Sequence, residues 1–188
     1  MAEAERQARV RAGDAIRPGR EKNVRLRRAV AVAGLVVALA LTIATPFRPL
    51  LVWNASASMP TGLYRVGAPQ DIAIGEIVVA RVPPVWRPFA DARHYVPATV
   101  PLVKRVAAVA GATVCAAGPS IFINGQRSAR RRIRDGQGRT MPWWQGCTRL
   151  RGGAIFLLGD SPASFDGRYF GPTDRNDVVG RAHPLWTR

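Results

Sequence analysis

Lys104 and the two serines of NASASMPTGLY, 54–64, are the residues of this chain whose types could do covalent chemistry. Of the 28 basic residues only Lys22 and Lys104 are lysines. Arginine satisfies almost any demand for positive charge, but only an ammonium gives up its proton when desolvated. Lys104 stands in PLVKRVAAVAG, an apolar stretch where burial disfavours the charged form. A lysine depressed by several units from its reference of about 10.4 is a general base at neutral pH. Ser56 and Ser58 lie together in SASMPTGLY, 56–64, and a serine hydroxyl brought beside such a base would be a nucleophile for acyl transfer. Read singly, Ser56 and Ser58 are also turn formers before Pro60.

Two other chemistries compete. His94 and His183 are the only histidines, and GDS at 159–161 with His183 makes a Ser-His hydrolase the rival arrangement. No His or Cys cluster has metal-ligand spacing and no Gly-rich phosphate loop opens a helix, so neither a metal nor a cofactor is expected.

The elements that must position these residues read as short β segments broken by Gly and Pro, giving a mainly β class. Strands are expected at 62–66, 77–82, 102–109, 112–116, 120–123, 154–159 and 177–183, with a tight hairpin turn at Asn124-Gly125. The stretches 87–101 and 130–146 read as flaps or rims. Trp143 and Trp144 either pack on the domain or dip into a lipid headgroup zone.

Upstream, AVAVAGLVVALALTIAT at 29–45 carries no charge and no polar stripe. With Pro46 and Phe47 it nears the roughly 20 residues that span a bilayer. Arginines immediately before it, including Arg25, Arg27 and Arg28, favour a cytoplasmic N-terminus. The expected organisation is a basic cytoplasmic segment 1–28, a transmembrane anchor 29–47 and a periplasmic domain 48–188 at the inner membrane. A removable secretory signal cut at Ala55-Ser56-Ala57 is the alternative, but its leader is long and the triplet lies far from the apolar core. In an exported domain Cys115 and Cys147 are disulfide candidates. The net charge of +16 is spread rather than striped. It reads as a solvated surface with no nucleic acid partner, a tethered DNA-binding module being the non-enzymatic alternative.

Three blocks, SASMPTGLY at 56–64, LVKRVAAVAGATV at 102–114 and GDSPASFDGRYFGP at 159–172, together resemble the type I signal peptidase family, in its order. Pro60 directly after Ser58-Met59, then Gly-Leu-Tyr, resembles the TraF-type conjugative transfer branch. The resemblance implies a signal-peptidase-like β-barrel or sheet domain behind one transmembrane helix, acting as a serine endopeptidase. It makes Ser58 the nucleophile, Lys104 the base, and Ser56 with the Ser58 backbone N–H the oxyanion hole. Ser164 is implied to hydrogen-bond the lysine, with Arg105–Asp160 and Asp166–Arg168 as supporting ion pairs. The last block is one residue shorter than in general leader peptidases, which leaves Ser161 as the alternative to Ser164. Implied partners are inner-membrane lipid and an exported precursor with small residues before the cut, most specifically a conjugative pilin, matured by cleavage or cyclisation. A housekeeping peptidase of broad range is the alternative.

Overall fold

In a computed structural model of the chain, residues 18–44 and 50–188 are described, the first stretch with side chains at 23–41 only. The chain divides into two units after residue 47. The described part of the first is one helix, α1 (Pro18–Ala44). The anchor expected at 29–47 follows this helix to Ala44, and 45–47 lie outside the described residues. Among the described residues no helix is long and apolar enough to cross a membrane. Arg25, Arg27 and Arg28 lie in the same helix, ahead of the charge-free run that starts at Ala29.

The second unit is built on two antiparallel sheets. Its strands are β1 (Leu51–Asn54), β2 (Gly62–Val66), β3 (Ile77–Ala80), β4 (Leu102–Ala108), β5 (Thr113–Ala117), β6 (Ser120–Ile123), β7 (Gln126–Arg130), β8 (Gly146–Arg149), β9 (Phe156–Leu158) and β10 (Val178–Thr187). The larger sheet runs β1-β2-β10-β3-β4-β9 and the smaller β7-β6-β5-β8. Neither closes: β1 and β9 stay unpaired with each other at opposite edges, so of the expected barrel or sheet the open sheet is what forms.

β10 explains the shape. Its first half pairs with β3 and its second half with β2, with bulges between Val178 and Gly180 and between Pro184 and Trp186. A strand that changes partner and bulges twice bends and twists its sheet. That curl carries the loop after β1 over to β4. Gly62 allows the tight β2–β10 pairing, because a Cβ there would lie 2.0 Å from the Trp186 carbonyl oxygen.

Alternation places the core. Tyr64 and Val66 of β2 face inward beside Met59, Val79, Val103 and Val179, while Val78 and Val106 pack with Leu157 in a separate cluster. A third cluster, with Val114, Ile121, Leu150 and Phe156, joins the two sheets. Asn124 and Gly125 take φ of 50° and 81°, the left-handed pair that a two-residue hairpin turn requires. The expected loop 87–101 contains a short helix, α2 (Arg87–Ala92), entered through Pro84 and Pro88; its six residues are too few to show a period. Trp144 packs on Phe156 and donates to the Gly167 carbonyl, and Arg131 stacks on Trp143 at 4.6 Å, so both indoles pack within the domain.

Cys115 and Cys147 lie opposite each other on β5 and β8 and are bonded. Closing a loop with a sequence separation of 32 stabilises by about 3–4 kcal/mol in the chain-entropy model. Urea unfolding with and without reductant is expected to differ by that amount; a difference below about 1 kcal/mol would refute it.

Candidate active site

The loop after β1 is pinned before any chemistry is considered. Met59 is 2 % exposed in the core, and the buried Tyr64 hydroxyl donates to the Pro60 carbonyl at 2.7 Å. Immediately before these anchors Ser58 faces β4. Lys104 on β4 stands opposite Val78, is 2 % exposed, and its Nζ donates to Ser58 Oγ at 2.6 Å.

Burial lowers the Lys104 pKa from 10.5 to about 8; Asp166 and Asp160 oppose the shift and Arg168 assists it. With the amine neutral the same contact reverses, the Ser58 hydroxyl donating to Nζ. Ser56 Oγ donates to Ser58 Oγ at 3.0 Å and accepts from the Ser58 N–H at 3.3 Å, so the expected oxyanion donors lie side by side. These groups open onto a cavity of about 550 Å³, walled also by Val52, Tyr95, Pro97, Leu102 and Phe165.

The 159–172 block folds against this pair. Gly159 fits where no side chain can: a Cβ there would be 2.3 Å from Ser164 Oγ and 2.8 Å from the Ser58 carbonyl oxygen. Asp166, fully buried, caps the short helix α3 (Gly167–Phe170) and accepts from the Gly159 N–H at 2.7 Å, the Arg168 N–H at 3.0 Å and Arg168 Nη1 at 3.0 Å. Burial pushes its carboxyl up, against Arg168 and the Gly159 N–H, which pull it down. Arg168 also donates to the Ser161 and Gly159 carbonyls. Arg105 makes a paired contact with Asp160, at 2.9 and 2.8 Å, on the exposed side of β4.

Ser164 departs from expectation in one respect. It is 3 % exposed and lines the cavity, but its hydroxyl makes no hydrogen bond to Lys104; it stands instead by the Asp166 carboxyl, whose charged form it helps to favour. Ser161 is no replacement: its Oγ accepts from the Ala163 N–H within its own turn. His183 sits on the outer part of β10, exposed and paired in register with Arg65, away from Ser161 and the cavity lining, so the Ser-His arrangement does not assemble. Among the described residues no cluster suited to a metal ion occurs.

Residues 24–186 match the family model described as signal peptidase, peptidase S26. The chain belongs to the signal peptidase family. It is of TraF type, similar to a probable conjugal transfer protein TraF of Sinorhizobium fredii, with 34 % identity over 71 % of this chain and 76 % of the relative. A plasmid transfer protein TraF of Escherichia coli is 32 % identical over 71 % of this chain and 81 % of its own length. Among solved structures, a signal peptidase I of Enterococcus faecalis is similar at 19 % identity and a TM-score of 0.36, over 60 % of this chain and 97 % of that one.

Two residues at the site of this family member escaped the sequence reading. Gly159 acts through a close backbone approach, which composition does not reveal. Asn54, the last residue of β1, is buried with both ends of its side chain engaged. An Asn entering a Ser- and Pro-rich turn was the available signal.

Proposed function

We propose that the chain is a membrane-anchored serine endopeptidase with a Ser58–Lys104 dyad, maturing exported precursors at the outer face of the inner membrane. The observation that carries this is the 2.6 Å contact between a buried serine hydroxyl and a buried lysine whose pKa is brought down to about 8. Neutral Lys104 takes the Ser58 proton as Oγ attacks the scissile carbonyl. The Ser58 N–H and the Ser56 hydroxyl receive the developing oxyanion. Lys104 then gives its proton to the leaving amine, and the acyl chain remains on Ser58 as an ester. Water, activated by the same amine, releases the product; attack by the precursor's own amine instead joins its ends. Asp166, Arg168 and Gly159 hold the wall behind the dyad.

The TraF relatives are named for conjugal and plasmid transfer, which supports a precursor belonging to a conjugation system; its pilin is the one we propose. β1, the unpaired edge beside the cavity, offers backbone groups for an added strand. Support for the anchor comes from the charge-free run through Phe47 and from exposed Val30, Val32, Leu35, Val36 and Val37 on α1. The Cys115–Cys147 bond supports an oxidising compartment outside the cytoplasm.

The test uses the full chain in detergent with acetyl-Ala-Leu-Ala p-nitrophenyl ester, reading the burst of p-nitrophenolate. Because the base is active when unprotonated, the acylation rate is expected to rise with pH to a plateau. Its midpoint should lie near 8, with about a tenfold loss per unit below it. Ser58→Ala is expected to show no burst. A rate flat from pH 6 to 9, or a burst that survives in Ser58→Ala, would end the proposal.

A further inference from the structure

Asn54 closes β1 and is 6 % exposed, four residues before Ser58. Its Oδ1 accepts from the Ser56 N–H at 3.2 Å. Its Nδ2 lies 3.0 Å from the Ser56 carbonyl oxygen, 3.2 Å from that of Met59 and 3.0 Å from that of Pro60. An amide nitrogen carries two hydrogens, so three carbonyls share them and no donor is left for solvent. The carbonyls flank Ser58 on both sides. With both flanks tied to one atom, the peptide between Ala57 and Ser58 has little room to rotate, and its N–H is aimed at Ser56 Oγ.

We propose that Asn54 is a positioning residue: by gathering the Ser56, Met59 and Pro60 carbonyls onto one side-chain amide, it holds the Ser58 N–H and the Ser56 hydroxyl where the oxyanion of acyl transfer forms. The inference rests on Ser58 being the nucleophile. A purely structural role is separable, because the loop has other anchors. Met59 is buried in the core and the Tyr64 hydroxyl holds the Pro60 carbonyl. These fix where the loop lies; Asn54, with the Ser58 N–H to Ser56 Oγ bond, sets how the peptide before Ser58 is turned. An oxyanion donor misaimed in this way costs transition-state stabilisation and leaves ground-state binding nearly untouched.

The experiment compares Asn54→Ala and Asn54→Asp with the unaltered full chain, using the same tripeptide p-nitrophenyl ester across a range of concentrations. Asn54→Asp is nearly isosteric and keeps an acceptor for the Ser56 N–H while losing every donated bond, so it serves if Asn54→Ala does not fold. The maximal acylation rate is expected to fall about 30- to 100-fold, with the half-saturating ester concentration within about twofold. In Asn54→Ala the pH midpoint is expected to stay in place, since Lys104 is untouched. A folded variant that acylates within about threefold of the unaltered chain, or whose entire loss lies in half-saturation, overturns the inference. Ser58→Ala is run alongside. A burst in that variant overturns the nucleophile reading itself, whereas a burst lost there while both Asn54 variants acylate within about threefold of the unaltered chain overturns the role of Asn54 alone.

Discussion

Lys104→Met is expected to abolish ester and peptide turnover, by about 10³-fold or more, and at the same time to make the protein more stable at pH 7. The two effects share one cause. In the folded chain the amine's pKa falls from 10.5 to about 8, chiefly because it is removed from water. A shift of that size corresponds to about 3 kcal/mol of penalty on the protonated form. Below pH 8 both folded and unfolded chains hold the proton and the penalty is complete; from about 8 to 10.5 the folded chain sheds it first, and stability rises with pH. Methionine fills similar volume with no charge to desolvate. After the lost bond to Ser58, worth about 1 kcal/mol, the net gain is about 2 kcal/mol, or roughly 5 °C in melting temperature. Lys104→Arg is the counterpart: inactive too, because guanidinium does not act as a base, but less stable, because the charge stays buried. Thermal melts and precursor cleavage on both variants check this. Processing by Lys104→Arg, or a destabilised Lys104→Met, would contradict a buried basic amine at the centre of the reaction.

Asp166→Ala is expected to cost about 3–5 kcal/mol of folding stability, because it leaves Arg168 buried without its carboxylate and the Gly159 N–H without its acceptor. The Asp160→Ala change, by contrast, is expected to cost less than about 1 kcal/mol, since both side chains of the Arg105 pair are 40–45 % exposed. Urea unfolding of the two single variants separates them. The Asp166→Ala, Arg168→Ala double variant is expected to lose less than the sum of its singles, the signature of groups acting as a unit. Equal losses at Asp160 and Asp166 would show that burial does not set the value of these pairs.

The sequence treated these two ion pairs alike, which marks where reading residues stops being enough. Lys104 was legible because an apolar strand around a rare lysine already states its environment, and β2, β4 and the Asn124-Gly125 turn follow from local pattern alone. β7 and β8 were not. QRSAR and GCTR carry no apolar alternation, and they are strands because β6 and β5 offer them ladders. An open sheet and a barrel share one strand pattern, and β10's change of partner decides between them. Asn54 and Gly159 act through distances to backbone atoms far along the chain or across a turn, which no residue type announces.

β10 is the last of the ten strands in sequence and the third in the six-strand order. Ser58 and Lys104 lie on either side of it, on the flanks built from β1–β2 and β3–β4. Until the ribosome has delivered residues 178–187, those flanks have no common ladder and the proton donor and acceptor have no reason to meet. Long-range pairing of this kind is slow and completes late. A chain still lacking β10 is therefore expected to hold no assembled Ser58–Lys104 pair, which makes the central strand a timer on the site it joins.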